Sequence, residues 1–404
     1  MDRVRVCGTR DRGSIPREGI HMNKKLKILI FSLAYDPLWG GAEIAVKEIT
    51  DRIPDAEFHM VTKQFNKNSL PKEKIGNINI HRIKTPKLLF PFIAYLKARE
   101  LHKKNNYDIA WSIMANRAGF ATLFFKLNFP KIKFLLTLQE GDPFEYIKQR
   151  AGIIWPFVKP FFKKIFTKAN YIQCISNYLA NWAKEMRASC PIEVIPNGVD
   201  IERYKKQETR NKNNSETVLI TTSRLVPKNG IEDLIDATKI LIDEGYKIKT
   251  LILGEGPAHK NLKSQISNLK IEEKVSLLGY IDQKEIPSYL ATADIFVRAS
   301  LSEGLGNSFL EAMAAGLPVI GAPVGGIPDF LIDKQTGLFC KPRNPQSIAE
   351  QVKILTKDEN LKNKIANNGE KLVFEKYNWT IISQKMQVVF NKLLIQNETI
   401  KKEH

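Results

Sequence analysis

Two carboxylates open the chemistry of this sequence. Glu303 lies in "SLSEGLGN" (300–307), where Gly304 and Gly306 break any regular element, and Glu311 lies in "FLEAMAA" (309–315), which reads as a helix. A helix start near Asn307 or Ser308 therefore falls between a loop acid and a helix acid. The free N–H groups of a helix start form an anion site, and glycines let the backbone approach a ligand closely. The pattern suits a ligand with phosphate at the helix start, a ribose diol on Glu311 and further hydroxyls on Glu303. Local physics offers an alternative for each acid. Ser308-Phe309-Leu310-Glu311 has the form of a capping box, with Glu311 reaching back to the N-cap amide, and Glu303 taken alone reads as a solvated loop acid.

Other residues with chemical potential stand after strand-like runs. Arg224 and Lys228 follow "TVLITTS" (217–223) and precede a helix. Two cations there, with a helix N-terminus, form a site for an anion. In a chain this basic a single loop cation is solvated by default, but position after a strand lifts these two above that default. Gly40 and Gly41 follow "KILIFSL" (27–33) and open a helix; they face a ligand in the cleft or make a plain tight turn. "KFLLTLQ" (133–139) ends in Gln139, followed by Glu140 and by Asp142-Pro143-Phe144-Glu145, a good helix start with an Asp cap, Pro at N1 and Glu at N3. No Asp-x-Asp occurs, so no divalent-metal diphosphate site is expected, and the first turn lacks G-x-G-x-x-G, which argues against a dehydrogenase.

These residues need a frame. The first half alternates short apolar runs with amphipathic helices: "KILIFSL", "FHMVTK", "INIHRIK", "DIAWSIM", "KFLLTLQ", "YIQCIS" and "IEVIP" read as strands. The pattern resumes after residue 216 with "TVLITTS", "KTLILGEG", "KVSLLGY", "DIFVRAS", "LPVIGAP" and "GLFC". Such alternation implies α/β architecture with two doubly wound, Rossmann-like parallel sheets facing each other across a cleft. Ligands of open α/β sheets bind beyond the carboxyl ends of the strands, where the residues above stand. The expected division is 22–199 for the first domain and 200–377 for the second, with the boundary near the polar stretch "PNGVDIERYKKQETRNKNNSET" (196–217). A last helix, about 378–396, has no strand after it and is expected to cross back onto the first domain. Residues 1–21 have neither an apolar h-region nor periodicity and read as a disordered extension or a start set too early, with Met22 the working start.

Charge is unevenly spread. Residues 22–200 hold 28 Lys and Arg against 15 Asp and Glu, while residues 201–404 hold 29 against 25. A basic first half suits an anionic partner, or is a solvated lysine-rich surface. "WPFVKPFFKKIF" (155–166) interleaves aromatics with lysines, which suits an anionic bilayer surface; Pro156 and Pro160 argue against one long helix there. No apolar run reaches the roughly 18 residues of a membrane span. Cys7, Cys174, Cys190 and Cys340 show no metal-ligand spacing and read as reduced thiols, so a cytoplasmic protein, peripheral on the inner face of the membrane, is expected.

"SEGLGNSFLEAMAAGLPVIGAPVGGIPDFL" resembles the E-x7-E signature of retaining glycosyltransferases of GT-B fold, family 4. "GGAE" (40–43), "VIPNGVD" (194–200), "TSRLVPKNGIEDLIDA" (222–237), "LILGEGP" (251–257) and "ADIFVRAS" (293–300) extend the resemblance in the same order. It implies a nucleotide-sugar donor as substrate, no cofactor, no metal and no nucleic acid, with a glycan or lipid-linked acceptor. Glu303 would bind the donor sugar hydroxyls and Glu311 the nucleotide ribose; Gly306, Asn307 and Ser308 would place amides near diphosphate and sugar; Arg224 and Lys228 would grip the diphosphate, with Gly41 facing it. Family members often carry His where Gln139 stands. Gln cannot take a proton at pH 7, which suits front-face attack with the leaving phosphate accepting the proton. The alternatives are a catalytically silent sugar-nucleotide binder, a GT-B epimerase, or an inverting variant with Glu140 as base.

Overall fold

The structure, a computed structural model, describes residues 25–142, 144–204 and 216–402, without the side chains of 144, 145, 150 and those beyond 395. The expected extension at 1–21, the Pro143 helix start and most of the polar boundary stretch lie outside the described residues.

Among the described residues, fourteen strands form two sheets. The first contains β1 (Leu26–Phe31), β2 (Ala56–Lys63), β3 (Lys72–Ile75), β4 (Ile78–Ile83), β5 (Ile109–Ile113), β6 (Lys133–Leu138), β7 (Tyr171–Cys174) and β8 (Ile192–Val194), in the order β3-β4-β2-β1-β5-β6-β7-β8. The second contains β9 (Thr217–Thr222), β10 (Ile248–Leu253), β11 (Val275–Gly279), β12 (Ile295–Arg298), β13 (Val319–Gly321) and β14 (Leu338–Phe339), in the order β11-β10-β9-β12-β13-β14. All pairings are parallel except β3 with β4. β3 has no counterpart among the strands expected from sequence: "KEKI" is polar, with no buried face, and is held only as an antiparallel edge.

β5 and β6 are buried at every position, as strands covered on both faces must be. The chain leaves the first sheet through Val199, whose amide donates to Tyr377 O at 2.6 Å, so entry to and exit from the second unit lie side by side. The final helix, Trp379–Lys402, packs onto the first sheet. Its Trp379, Ile382, Met386, Val389, Phe390 and Leu393 join Ile28, Phe58 and Trp111 in one core, with Phe390 edge-on to Trp111 at 5.3 Å. Each such side chain contributes roughly 1.5–3 kcal/mol by burial. Gly198 permits the approach, because a Cβ there would lie 2.8 Å from the Trp379 ring.

The helix Trp155–Thr167 forms despite its two prolines. Pro156 sits in the first turn, where its missing N–H costs nothing, and only Pro160 is interior. Phe162, Ile165 and Phe166 turn inward, and Phe166 packs edge-on to Trp182 at 5.6 Å.

Candidate active site

The carboxyl ends of β1 and β6 face those of β9 and β12, and glycines stand where they meet. A Cβ on Gly304 would lie 2.6 Å from Glu140 O, and one on Gly41 would lie 2.9 Å from Asn307 Nδ2. Ser302 Oγ donates to Gly141 O at 2.8 Å across the same gap. The glycine-rich loops are thus what lets the two sheets meet here.

The helix between the two acids is Asn307–Ala314, and its N-cap is Gly306 at φ +96°, a left-handed conformation that favours glycine. No side chain caps it. The capping-box alternative therefore fails. Ser308 is already inside the first turn, and its Oγ accepts from Arg298 Nη1 at 2.6 Å. Helix geometry leaves the first-turn amides of Asn307 and Ser308 without a carbonyl one turn below. Glu311, released from capping, is half-buried beside Tyr204, Arg203 and Arg298. Burial pushes its carboxyl up to about 7, against the opposing pull of the two arginines. The Tyr204 hydroxyl is raised well above its ordinary value by its own burial and by Glu311.

Glu303 is buried, and one of its oxygens accepts from Arg298 Nη2. Lys228 reaches over from the second sheet: its Nζ donates to Asp142 Oδ1 at 2.8 Å and to Gly141 O at 3.1 Å. Arg224 is exposed two residues after β9, and its carbonyl accepts from Asn229 Nδ2 at 2.6 Å. On the first sheet, Gln139 Oε1 accepts from Asn197 Nδ2 at 3.1 Å, and the same Asn197 nitrogen lies 3.3 Å from Asn307 Oδ1. Gln139 is thereby joined to the helix start through one buried amide.

Glu140 has both carboxylate oxygens engaged by backbone: Ala115 N at 2.5 Å and Gln139 N at 2.9 Å. Burial nevertheless pushes its carboxyl up to about 7. A carboxylate held at both oxygens ties the end of β6 to the loop after β5. Each oxygen accepts one bond and keeps a second acceptor site, so these contacts position Glu140 without excluding it as the base of an inverting enzyme. Among the described residues no cluster of three His, Cys, Asp or Glu side chains could hold a metal.

The site thus brings Glu303, Gly306, Asn307, Ser308, Gly41, Gln139 and Lys228 to one gap, with Glu311 one helical turn behind and Arg224 at the open rim. Sequence reasoning missed Arg298, Asn229 and Asn197. The signals were present: an arginine inside the apolar strand "DIFVRAS", and the asparagine of "PNG", which is buried rather than a surface turn.

Two Rossmann-like α/β units with parallel sheets that meet at the carboxyl ends of their strands have the GT-B architecture. Residues 39–203 match the family model "Glycosyltransferase Family 4", and residues 202–372 match "Glycosyl transferases group 1". The two matches adjoin and span most of the chain, which belongs to the GT-B glycosyltransferases. It is 28% identical over 374 residues to an uncharacterized glycosyltransferase of Methanocaldococcus jannaschii, covering 91% of this chain and 99% of the relative. It is 26% identical over 332 residues to the alpha-monoglucosyldiacylglycerol synthase of Streptococcus pneumoniae, covering 77% of this chain and 74% of the relative. In fold it is similar to Anabaena HepE, solved in complex with UDP-glucose, with a TM-score of 0.75 at 21% identity over 91% of this chain and 100% of that one.

Proposed function

We propose that the chain transfers a hexose-type sugar from a nucleotide-sugar donor to a hydroxyl of an envelope glycan or glycolipid, with retained anomeric configuration and without a metal. The observation that carries this reading is the convergence in one gap of a free helix start, a cation and a buried hydroxyl-binding acid, facing an amide rather than a base. The diphosphate sits on the amides of Asn307 and Ser308, with Arg224 and Lys228 neutralising the charge that develops as it leaves. Glu311 accepts from the ribose diol, and Glu303 from the sugar hydroxyls. Gln139, an amide with no proton to take up at pH 7, orients the sugar, and the leaving phosphate takes the acceptor proton.

The acceptor side of the reading rests on an exposed face. Ile153, Ile154, Phe157 and Phe161 stand in solvent beside the exposed Lys159, Lys164 and Lys168, and Lys164 lies over the Phe161 ring at 5.5 Å. Phe157 and Phe161 are one turn apart and share a face. This amphipathic surface fits an anionic bilayer, and the streptococcal relative is by name a synthase of a glycolipid. No helix among the described residues is long and apolar enough to cross a membrane. Transport of the acceptor to the cleft would then occur along the membrane surface, on the cytoplasmic leaflet.

Thermal-shift screening against UDP- and GDP-sugars tests the donor. A ligand at 100 times its dissociation constant adds about 2.7 kcal/mol of stability, and the anomeric configuration of the product, read by NMR, tests retention. No shift with any sugar nucleotide refutes the donor; an inverted product refutes the mechanism. Flotation with anionic liposomes at low and high salt tests the surface: loss of binding in Phe157→Ser/Phe161→Ser supports it, and no flotation of wild type at low salt removes it.

A further inference from the structure

Resting on the reading above, we infer that Arg298 is a positioning residue that holds the Glu303 carboxylate in fixed register with the first turn of the helix Asn307–Ala314. It ends β12, is only 7% exposed, and engages three separate segments. Nη2 donates to Glu303 in the loop that follows and to Asn229 Oδ1 at 3.1 Å; Nη1 donates to Ser308 Oγ at 2.6 Å. Asn229 in turn donates to the Arg224 carbonyl. One guanidinium therefore ties together the loop of the diphosphate cation, the sugar-binding acid and the helix start that receives the phosphates.

Stability alone gives no reason for an arginine here. The preceding strand residues Ile295, Phe296 and Val297 are fully buried, and an apolar side chain would continue them. Arg298 Nε has no hydrogen-bond partner, so part of the cost of burying the guanidinium is not offset. A buried ion pair is often no more stabilising than well-packed apolar residues of similar volume. What a guanidinium adds is direction, because its planar fork fixes several acceptors in one rigid geometry, whereas the donors of an ammonium rotate. It occupies Oε1 of Glu303, while Oε2 points toward Gly141 across the gap, about where a sugar hydroxyl would enter: a Cβ on Gly141 would lie 4.0 Å from that oxygen. Arg298 touches no reacting atom. It acts by keeping one carboxylate oxygen aimed into the gap.

The test is a double-mutant cycle in the full chain. Wild type, Arg298→Met, Glu303→Ala and the double variant are compared for consumption of UDP-glucose, UDP-N-acetylglucosamine and GDP-mannose, and by calorimetry for binding of UDP and GDP. Arg298→Met is expected to lower kcat/KM by about 30- to 100-fold, the scale of a misplaced reacting group, while affinity for the nucleoside diphosphate stays within about threefold. The double variant should be no slower than Glu303→Ala, since residues that act through one another are non-additive. Arg298→Lys should recover little of the loss, since an ammonium lacks the planar fork; if Arg298→Met does not fold, the cycle is run with Arg298→Lys. A folded Arg298 variant with unchanged kcat/KM, additive losses in the double variant, or an equal loss of nucleoside diphosphate binding would each overturn the inference while leaving the donor reading intact. A wild type that neither binds nor consumes any of these donors overturns the donor reading and the inference together.

Discussion

Lys228 is proposed as a diphosphate ligand, yet its ammonium is already occupied by Asp142 Oδ1 at 2.8 Å and Gly141 O at 3.1 Å. Donor binding must therefore exchange one anion for another. Asp142→Asn keeps the shape of the side chain and removes its charge, so the competitor weakens while the ligand does not. Both side chains of the pair are 27% exposed. A partly exposed pair of this kind is worth about 0.4–1 kcal/mol once solvent screening is counted, so affinity for UDP or GDP should rise about two- to fivefold. Isothermal titration of the nucleoside diphosphate measures it. The gain should shrink at high salt, since exposed charges are screened, and it should vanish in the Lys228→Met background, where no ammonium is left to release. Unchanged or weaker binding in Asp142→Asn, or an equal gain without Lys228, would refute the exchange and with it the place of Lys228 on the diphosphate.

Three further outcomes are expected. Glu311→Gln should weaken nucleoside diphosphate binding about tenfold, on the order of 1.4 kcal/mol, and Glu303→Gln should spare that binding but cut turnover; unchanged kinetics and affinity in both variants would remove the two acids from the site. The folded protein holds the carboxyls of Glu140 and Glu311 up near 7 from an ordinary 4.5 by burial, so it binds protons more tightly than the unfolded chain. The stability this represents is fully present below about pH 4.5 and is lost as pH rises toward 7, at most about 3 kcal/mol for each group; urea unfolding from pH 4.5 to 8 should show that loss reduced in Glu311→Gln, and an identical profile in the variant would contradict it. Gln139→Ala should lower turnover about ten- to a hundredfold, roughly 1.4–2.7 kcal/mol of barrier, with nucleotide affinity barely changed; equal activity would place the reactive centre elsewhere.

The sequence alone determined what depends on neighbours along the chain. Apolar runs such as "DIAWSI" and "KFLLTL" carry no polar alternation, so they are strands buried on both faces, and their alternation with amphipathic helices implied two parallel sheets before any contact was known. The spacing of Glu303, Gly306 and Glu311 likewise dictated a loop acid, a helix start and an acid one turn in. Tertiary structure alone decided which backbone amides and side chains complete the site. Ser308 and Glu311 had the form of a capping box, but Gly306 could enter a left-handed conformation and Arg298 took the serine hydroxyl, so the helix began two residues earlier. The pairing of Lys228 with Asp142 joins residues 86 apart, and that of Asn197 with Asn307 joins residues 110 apart. No local period encodes such contacts. They exist because glycines at 41, 141 and 304 let two separately folded sheets approach to hydrogen-bond distance, and that approach is set by packing between the sheets rather than by propensity within either one.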